Sequence, residues 1–173
     1  MTVYKKSIDV ESRGKIPTYV NITEKVKKAI AESGIVNGTC TVISPHTTCA
    51  VFFEEFVHDI DENGNESLQV DLNKVLEKIV PNHDHADTYV YPGEEHYKEV
   101  ESWPNAEEYL PGGERKALWN GDAHIKATLI GSSQVFDVDQ GELGVGTTGS
   151  VYFVDFDRTR ARKRTCKVIV MGE

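Results

Sequence analysis

Long apolar runs are missing from this chain. No stretch approaches the ~20 consecutive apolar residues that a bilayer-spanning helix needs. The N-terminal MTVYKKSIDV lacks the apolar centre of an export signal, so the cytoplasm is the expected location and no membrane partner is expected. Cysteine is scarce and odd in number (Cys40, Cys49 and Cys166), with no C-x-x-C spacing. That excludes a disulfide framework and a structural zinc knuckle, and leaves buried, reduced thiols as the plain reading. Basic residues are the minority, 19 against 28 acids, for a formal net charge of −9. A surface of that sign repels phosphate backbones, and nucleic acid is not an expected partner.

What is present suffices for one domain spanning 1–173: 39% of the residues are hydrophobic and 27% charged, spread along the whole length. Residues 3–10 and 16–20 read as strands separated by the turn Ser12-Arg13-Gly14-Lys15. Ile22, Val26, Ala29 and Ile30 then recur at i, i+4, i+7 and i+8, the stripe of an amphipathic helix, with Asn21 and Glu24 at capping spacing and Gly34 as its stop. Residues 39–44 and 49–53 are β-rich on either side of Pro45. A second helix is expected over Glu66–Val80, where Leu68, Leu72, Val75, Leu76 and Ile79 repeat the stripe until Pro81.

From 82 to 121 the periodicity dissolves, and three of the six prolines gather there with Trp103, Trp119 and several tyrosines. An irregular insertion at about 85–120 is expected, ordered by its aromatics and, like most long loops in compact domains, functional. The last third reads as strands throughout, at 125–130, 134–138, 150–157 and 166–171, with Asp139-Gln140-Gly141 as a hairpin turn. The sum is an α+β domain, a mainly antiparallel β-sandwich or barrel-like sheet system with two principal helices.

Six histidines lack any metal signature spacing, but His46 follows Pro45 at a break between strands, and His124 immediately precedes the strand expected from Ile125. Histidines at strand ends face a sheet's rim, where pockets form. Asp59–Asp71 nearly writes a calcium loop, yet Val70 stands where the bidentate glutamate is required, so the segment reads as a turn into the second helix. Strand alternation sends one of Glu54 and Glu55 inward, which is costly without a partner. Asp71 faces either a shared cavity or the dipole of its own helix. Gly144–Gly149 (GVGTTG) meets neither the dinucleotide nor the P-loop pattern and reads as sheet turns. Arg158, Arg160, Arg162, Lys163 and Arg164 place five bases in seven residues. Alternation puts the four arginines on one side, either as a solubilising edge or as a phosphate site.

Ser44-Pro45-His46-Thr47-Thr48-Cys49-Ala50, Glu55, Asp71-Leu72, the run Asn120–Ala127 (NGDAHIKA), Gly131, Gly141 with Leu143, Gly146-Thr147, and Asp155-Phe156-Asp157 up to Arg160 together resemble the YjbQ family of small proteins. The resemblance covers the chain from its first strand to Gly172, outside roughly 85–120. It implies a compact α+β fold with a sandwich or barrel-like core, assembled as a homotrimer. It also implies a pocket in which His46, His124, a third histidine, Glu55 and Asp71 converge around a divalent metal, with imidazoles suiting zinc, nickel or iron.

His83, His85 and His96 compete for the third place, and His85-Ala86-Asp87 best matches the family's local pattern. In that reading His46, His85 and His124 are the metal ligands, and Glu55, Asp71 and His124 the catalytic groups. Arg158 and Arg160 neutralise substrate phosphate. The activity implied is a secondary thiamine-phosphate synthase, joining a pyrimidine-methyl diphosphate to a thiazole phosphate with release of diphosphate. The alternatives are a metal-dependent hydrolase of a phosphorylated metabolite and a non-catalytic metal- or metabolite-binding protein. Two motifs depart from the family: Gly146-Thr147-Thr148-Gly149 lacks the usual Trp and Gln, and Asp155–Arg160 departs from E-x-D-G-P-R.

Overall fold

The computed structural model describes residues 1–173. The chain opens with β1 (Thr2–Ser12), β2 (Thr18–Asn21) and α1 (Thr23–Ser33), then β3 (Gly38–Ile43), β4 (Cys49–Glu55) and α2 (Ser67–Ile79). Three helices follow, α3 (Glu94–Glu101), α4 (Ala106–Tyr109) and α5 (Gly121–Ile130). Four strands close it, β5 (Ser133–Asp139), β6 (Glu142–Leu143), β7 (Gly149–Asp155) and β8 (Arg162–Gly172). No helix is long and apolar enough to cross a membrane.

All pairings are antiparallel, in a five-stranded sheet ordered β1-β8-β3-β5-β6 and a three-stranded sheet ordered β2-β7-β4. Between the sheets lies one apolar layer: Ile8 and Val10 of β1, Cys40 and Val42 of β3, and Cys166, Val168 and Val170 of β8 meet Val51 of β4 and Val151 and Phe153 of β7. The period-2 alternation of β1, β3 and β8 produces this face, and each fully buried Val or Ile contributes about 1.5–3 kcal/mol. Ile22, Val26, Ala29 and Ile30 carry α1 into the same layer at the expected spacing. Gly34 ends that helix in the left-handed region (φ 65°), which only glycine enters without strain.

The small sheet is covered on its other face too. Phe52 of β4 and Tyr152 and Val154 of β7 pack against Leu76 of α2 and Ala123 and Ala127 of α5. That is why β7 reads as a continuous apolar run and not as an alternating one. Glu66 caps α2 in a capping box with Gln69, and the Tyr152 hydroxyl donates to the Glu66 carboxylate at 2.8 Å. Asp61 accepts the backbone N–H of Asn63 and Asn65, so the near-calcium loop is a turn leading into α2. The hairpin at Gln140-Gly141 has φ of 51° and 78°, as a two-residue turn between right-twisted strands requires.

Two segments differ from their sequence reading, the first being the excursion at 85–120, which is not irregular throughout but carries the helices α3 and α4. Residues 125–130, expected as a strand, belong to α5. Ala123, Ala127 and Ile130, spaced four and three apart, are the residues that pack on the small sheet, while Ile125 and Leu129 stay exposed. The small side chains let the helix lie close to the sheet, and its buried stripe is written in alanine, which period-2 reading overlooks. His124 therefore sits in the first turn of a helix and not before a strand. The 85–120 excursion is ordered around its own small core of Val100, Leu110 and Leu118, flanked by Tyr97, Trp103 and Tyr109. Tyr91 packs it against His124 of α5, and just before it Asn82 is held by the fully buried Lys126 of α5, whose ammonium reaches the Asn82 side chain at 3.1 Å and Asp122 of its own helix at 3.4 Å.

Candidate active site

A hollow of about 350 Å³ opens where the β3–β4 loop, the start of α5, the start of β8 and the inner face of the excursion meet. The loop contributes His46: Ser44 Oγ accepts the His46 backbone N–H at 3.2 Å and fixes the turn after Pro45. The ring Nε2 accepts the Thr165 backbone N–H at 2.9 Å. A neutral His46 therefore carries its proton on Nδ1. The first turn of α5 contributes His124, which lines the hollow beside Thr47. Burial pushes both imidazoles below the ordinary histidine value, with Arg164 adding to it at His46, and Asp155 and Asp157 opposing at His46 and His124 respectively. Burial thus favours the neutral form of both rings, His46 with its lone pair engaged by Thr165 and His124 as the candidate proton acceptor.

The excursion supplies the aromatic wall. Tyr91 lies edge-on to His124 with ring centres 5.3 Å apart, and its hydroxyl stands 3.4 Å from His96 Nε2. β8 supplies the charge through Arg162 and Arg164, which alternation places on the same face. Each guanidinium is held by a buried carboxylate of the β7 end: Arg164 Nε donates to Asp155 at 2.7 Å, and an Arg162 amino group pairs with Asp157 at 2.9 Å. Arg164 also donates to Thr48 Oγ1, and the Asn120 amide donates to Asp157 at 2.9 Å, tying loop, helix and strands to one centre. Two buried polar atoms here have no partner, Arg162 Nε and Asn120 Oδ1.

His46 and His124 thus come together, but the rest of the expected constellation is distributed differently. His96, not His85, is the third histidine of the hollow; His85 lies exposed on a turn. Glu55 is exposed at the end of β4, and Asp71 is exposed on α2, paired with Lys74 at 3.2 Å; neither lines the hollow. The half-buried member of the Glu54–Glu55 pair is Glu54, raised above the usual carboxylate range by burial and then by Glu66. The four arginines do not share a side, because β8 begins only at Arg162 and residues 158–161 form an irregular turn. Arg158 and Arg160 therefore line a neighbouring cavity.

The acids that serve the hollow are Asp155 and Asp157, to which the sequence reading gave no role; they do not line it but stand buried behind it and hold Arg164 and Arg162. The signal was their i, i+2 spacing at the end of β7, matched by that of Arg162 and Arg164 at the start of β8 in the other sheet. Nowhere in the chain do three His, Cys, Asp or Glu side chains converge as metal ligands, and His46 Nε2 is occupied by a backbone N–H. Within one chain these residues do not fit a bound divalent ion.

Comparison with known proteins sets this geometry in context. A family model described as UPF0047 protein YjbQ-like matches residues 6–173. A UPF0047 protein of Methanocaldococcus jannaschii is 27% identical over 167 residues, covering 96% of this chain and 94% of its own length. The UPF0047 protein YugU of Bacillus subtilis is 28% identical over 154 residues, covering 88% and 89%. Among solved structures, a YbjQ-like protein of unknown function from Sulfolobus solfataricus P2 superposes with a TM-score of 0.69 at 26% identity, covering 99% of each chain. A YjbQ/UPF0047 protein from Clostridium acetobutylicum gives 0.66 at 26% identity, covering 96% and 99%. With the α+β fold, the sheet order and a family match over nearly its full length, the chain belongs to the YjbQ/UPF0047 family.

Proposed function

We propose that the histidine hollow is the active site of an enzyme acting on a small phosphorylated metabolite, in a transfer that expels phosphate or diphosphate. The reading rests on one observation: two imidazoles kept neutral by burial share a hollow with a guanidinium that has a buried, unspent N–H. Arg162, steadied by Asp157, supplies charge and a donor where negative charge accumulates on the departing group. His46 presents Nδ1–H as a second donor, and His124 accepts or relays a proton. Tyr91, Trp103 and Tyr109 form a wall suited to a flat ring. The thiamine-phosphate synthase reaction resembles this arrangement in its demands, since the thiazole nitrogen attacks the pyrimidine methylene while the bond to diphosphate breaks and its two electrons leave with oxygen. Assembly of like chains, as a homotrimer, is part of the proposal, supported by the exposed apolar faces of α2 and α5.

The test is formation of thiamine phosphate from the two phosphorylated halves, with released diphosphate measured in parallel. Arg162→Gln and His124→Gln should each lower the rate by about a hundredfold, the usual effect of losing one preorganised donor or proton acceptor. Equal rates in wild type and both variants would remove the hollow from the chemistry.

A further inference from the structure

Arg158 and Arg160 belong to a second cavity, of about 530 Å³. The segment 117–120 partitions it from the histidine hollow: Ala117 and Trp119 line this cavity, Leu118 and Asn120 the hollow. Its walls carry donors that the protein itself does not use. His83, only 3% exposed, accepts the Gly121 N–H on Nδ1 at 3.1 Å, so the neutral ring carries its proton on Nε2; that atom is buried and without a partner. An amino group of Arg158 leans on Asp84 at 3.3 Å and Asp122 at 3.6 Å, but Arg158 Nε is buried and unpartnered. Arg160 gives its guanidinium to the carbonyls of Tyr109 and Ala117, at 3.2 and 3.4 Å, and not to a carboxylate. Lys116 stands at the mouth with its ammonium 5.8 Å from the centre of the Trp119 ring.

We propose that this cavity is a second ligand site, which takes the phosphoryl group of a small phosphate ester or of free phosphate. Three cations and a neutral imidazole donor outnumber the two carboxylates that also line it, Asp84 and Glu114. Buried donors left without partners destabilise the fold, and a tetrahedral dianion offers enough acceptors to satisfy both orphans while compensating the surplus charge. A planar monoanion has fewer acceptors and half the charge. The site goes beyond the reading of the histidine hollow and does not require it.

Titration calorimetry with inorganic phosphate tests the assignment. Wild-type protein should bind phosphate, and Arg158→Gln should weaken that binding about tenfold or more, the loss of one charge-assisted contact. Lys116→Gln, at an exposed side chain whose replacement leaves the packing intact, should weaken it in the same direction. His124→Gln should leave it unchanged, which keeps the outcome separate from that of the active-site assay. Three results would overturn the proposal: no heat of binding at about 10 mM phosphate, unaltered affinity in both Arg158→Gln and Lys116→Gln, or binding lost only in Arg162→Gln.

Discussion

Replacing Asp157 by asparagine probes the charge anchor of the hollow at almost constant shape. The carboxylate is 1% exposed. Its Oδ1 accepts the Thr159 backbone N–H at 2.9 Å and the Thr159 hydroxyl at 2.6 Å, while Oδ2 accepts the Asn120 amide and an Arg162 amino group, both at 2.9 Å. An asparagine in this place has one acceptor oxygen. Its NH2 group must face either Thr159 or the Asn120–Arg162 pair, setting donor against donor in both cases, and Arg162 loses its counter-charge. Removing one partner of a buried pair costs about 3–5 kcal/mol; because the Arg162 side chain retains 18% exposure, water recovers part of this, leaving about 3 kcal/mol.

Urea unfolding reads that loss directly. With a slope of about 2 kcal/mol/M, the midpoint should fall by about 1.5 M with the slope unchanged. Adding Arg162→Met to the variant should cost less than the two single losses summed, by about 1 kcal/mol or more. The pH dependence supplies an independent check. Burial pushes Asp157 up, but Arg162, Thr159 and Asn120 outweigh it and hold the carboxyl below the usual range. A depressed folded value means stabilisation that is complete above the unfolded value of about 4 and lost as the pH falls further. The gap between wild type and Asp157→Asn should therefore close in acid. A midpoint within about 0.3 M of wild type at pH 7, or a gap constant down to acid pH, would refute the reasoning.

Titration of the histidine ring resonances by NMR should place His46 and His124 below the free-histidine value of about 6.5, and the stability they contribute as neutral groups is present above that pH and declines below it. A value above it for His124 would contradict the dominance of burial there. Light scattering should give about three times the chain mass of 19.3 kDa. Leu129→Glu on α5, at a residue 57% exposed in the single chain, should lower that mass without unfolding the protein, whereas a monomeric wild type at micromolar concentration would end the assembly proposal.

Much of the fold was legible because it depends on local periodicity. The stripe of α1 and the alternation of β1, β3, β5 and β8 each follow from which side chains must leave water, and those repeats stand within a dozen residues; α2 was legible from its stripe as well, although Leu68, Val75 and Ile79 of that stripe stay exposed in the single chain. α5 was not legible as a helix, because its buried stripe is Ala123 and Ala127 while its bulky Ile125 and Leu129 face outward. The candidate site divides the same way. His46 beside Pro45 marked a loop at a sheet rim, and His124 stood out within its motif. The choice of His96 over His85 depended on the direction in which the excursion folds back, and its proline- and aromatic-rich stretch has no period from which a face can be inferred.

By itself the sequence determined the two-sheet α+β framework and the chemistry of the parts: imidazoles at a rim, arginines in excess near the C-terminal strand, and acids two residues apart. Tertiary structure alone decided which of these meet. It drew Asp155 and Asp157 to Arg164 and Arg162, left Glu55 and Asp71 in solvent, and split the arginine cluster between two cavities. The reason is physical. Burying apolar surface depends on the character of each residue and repeats along the chain, whereas pairing these charges depends on distances between residues of two different sheets, and those exist only once the sheets have packed.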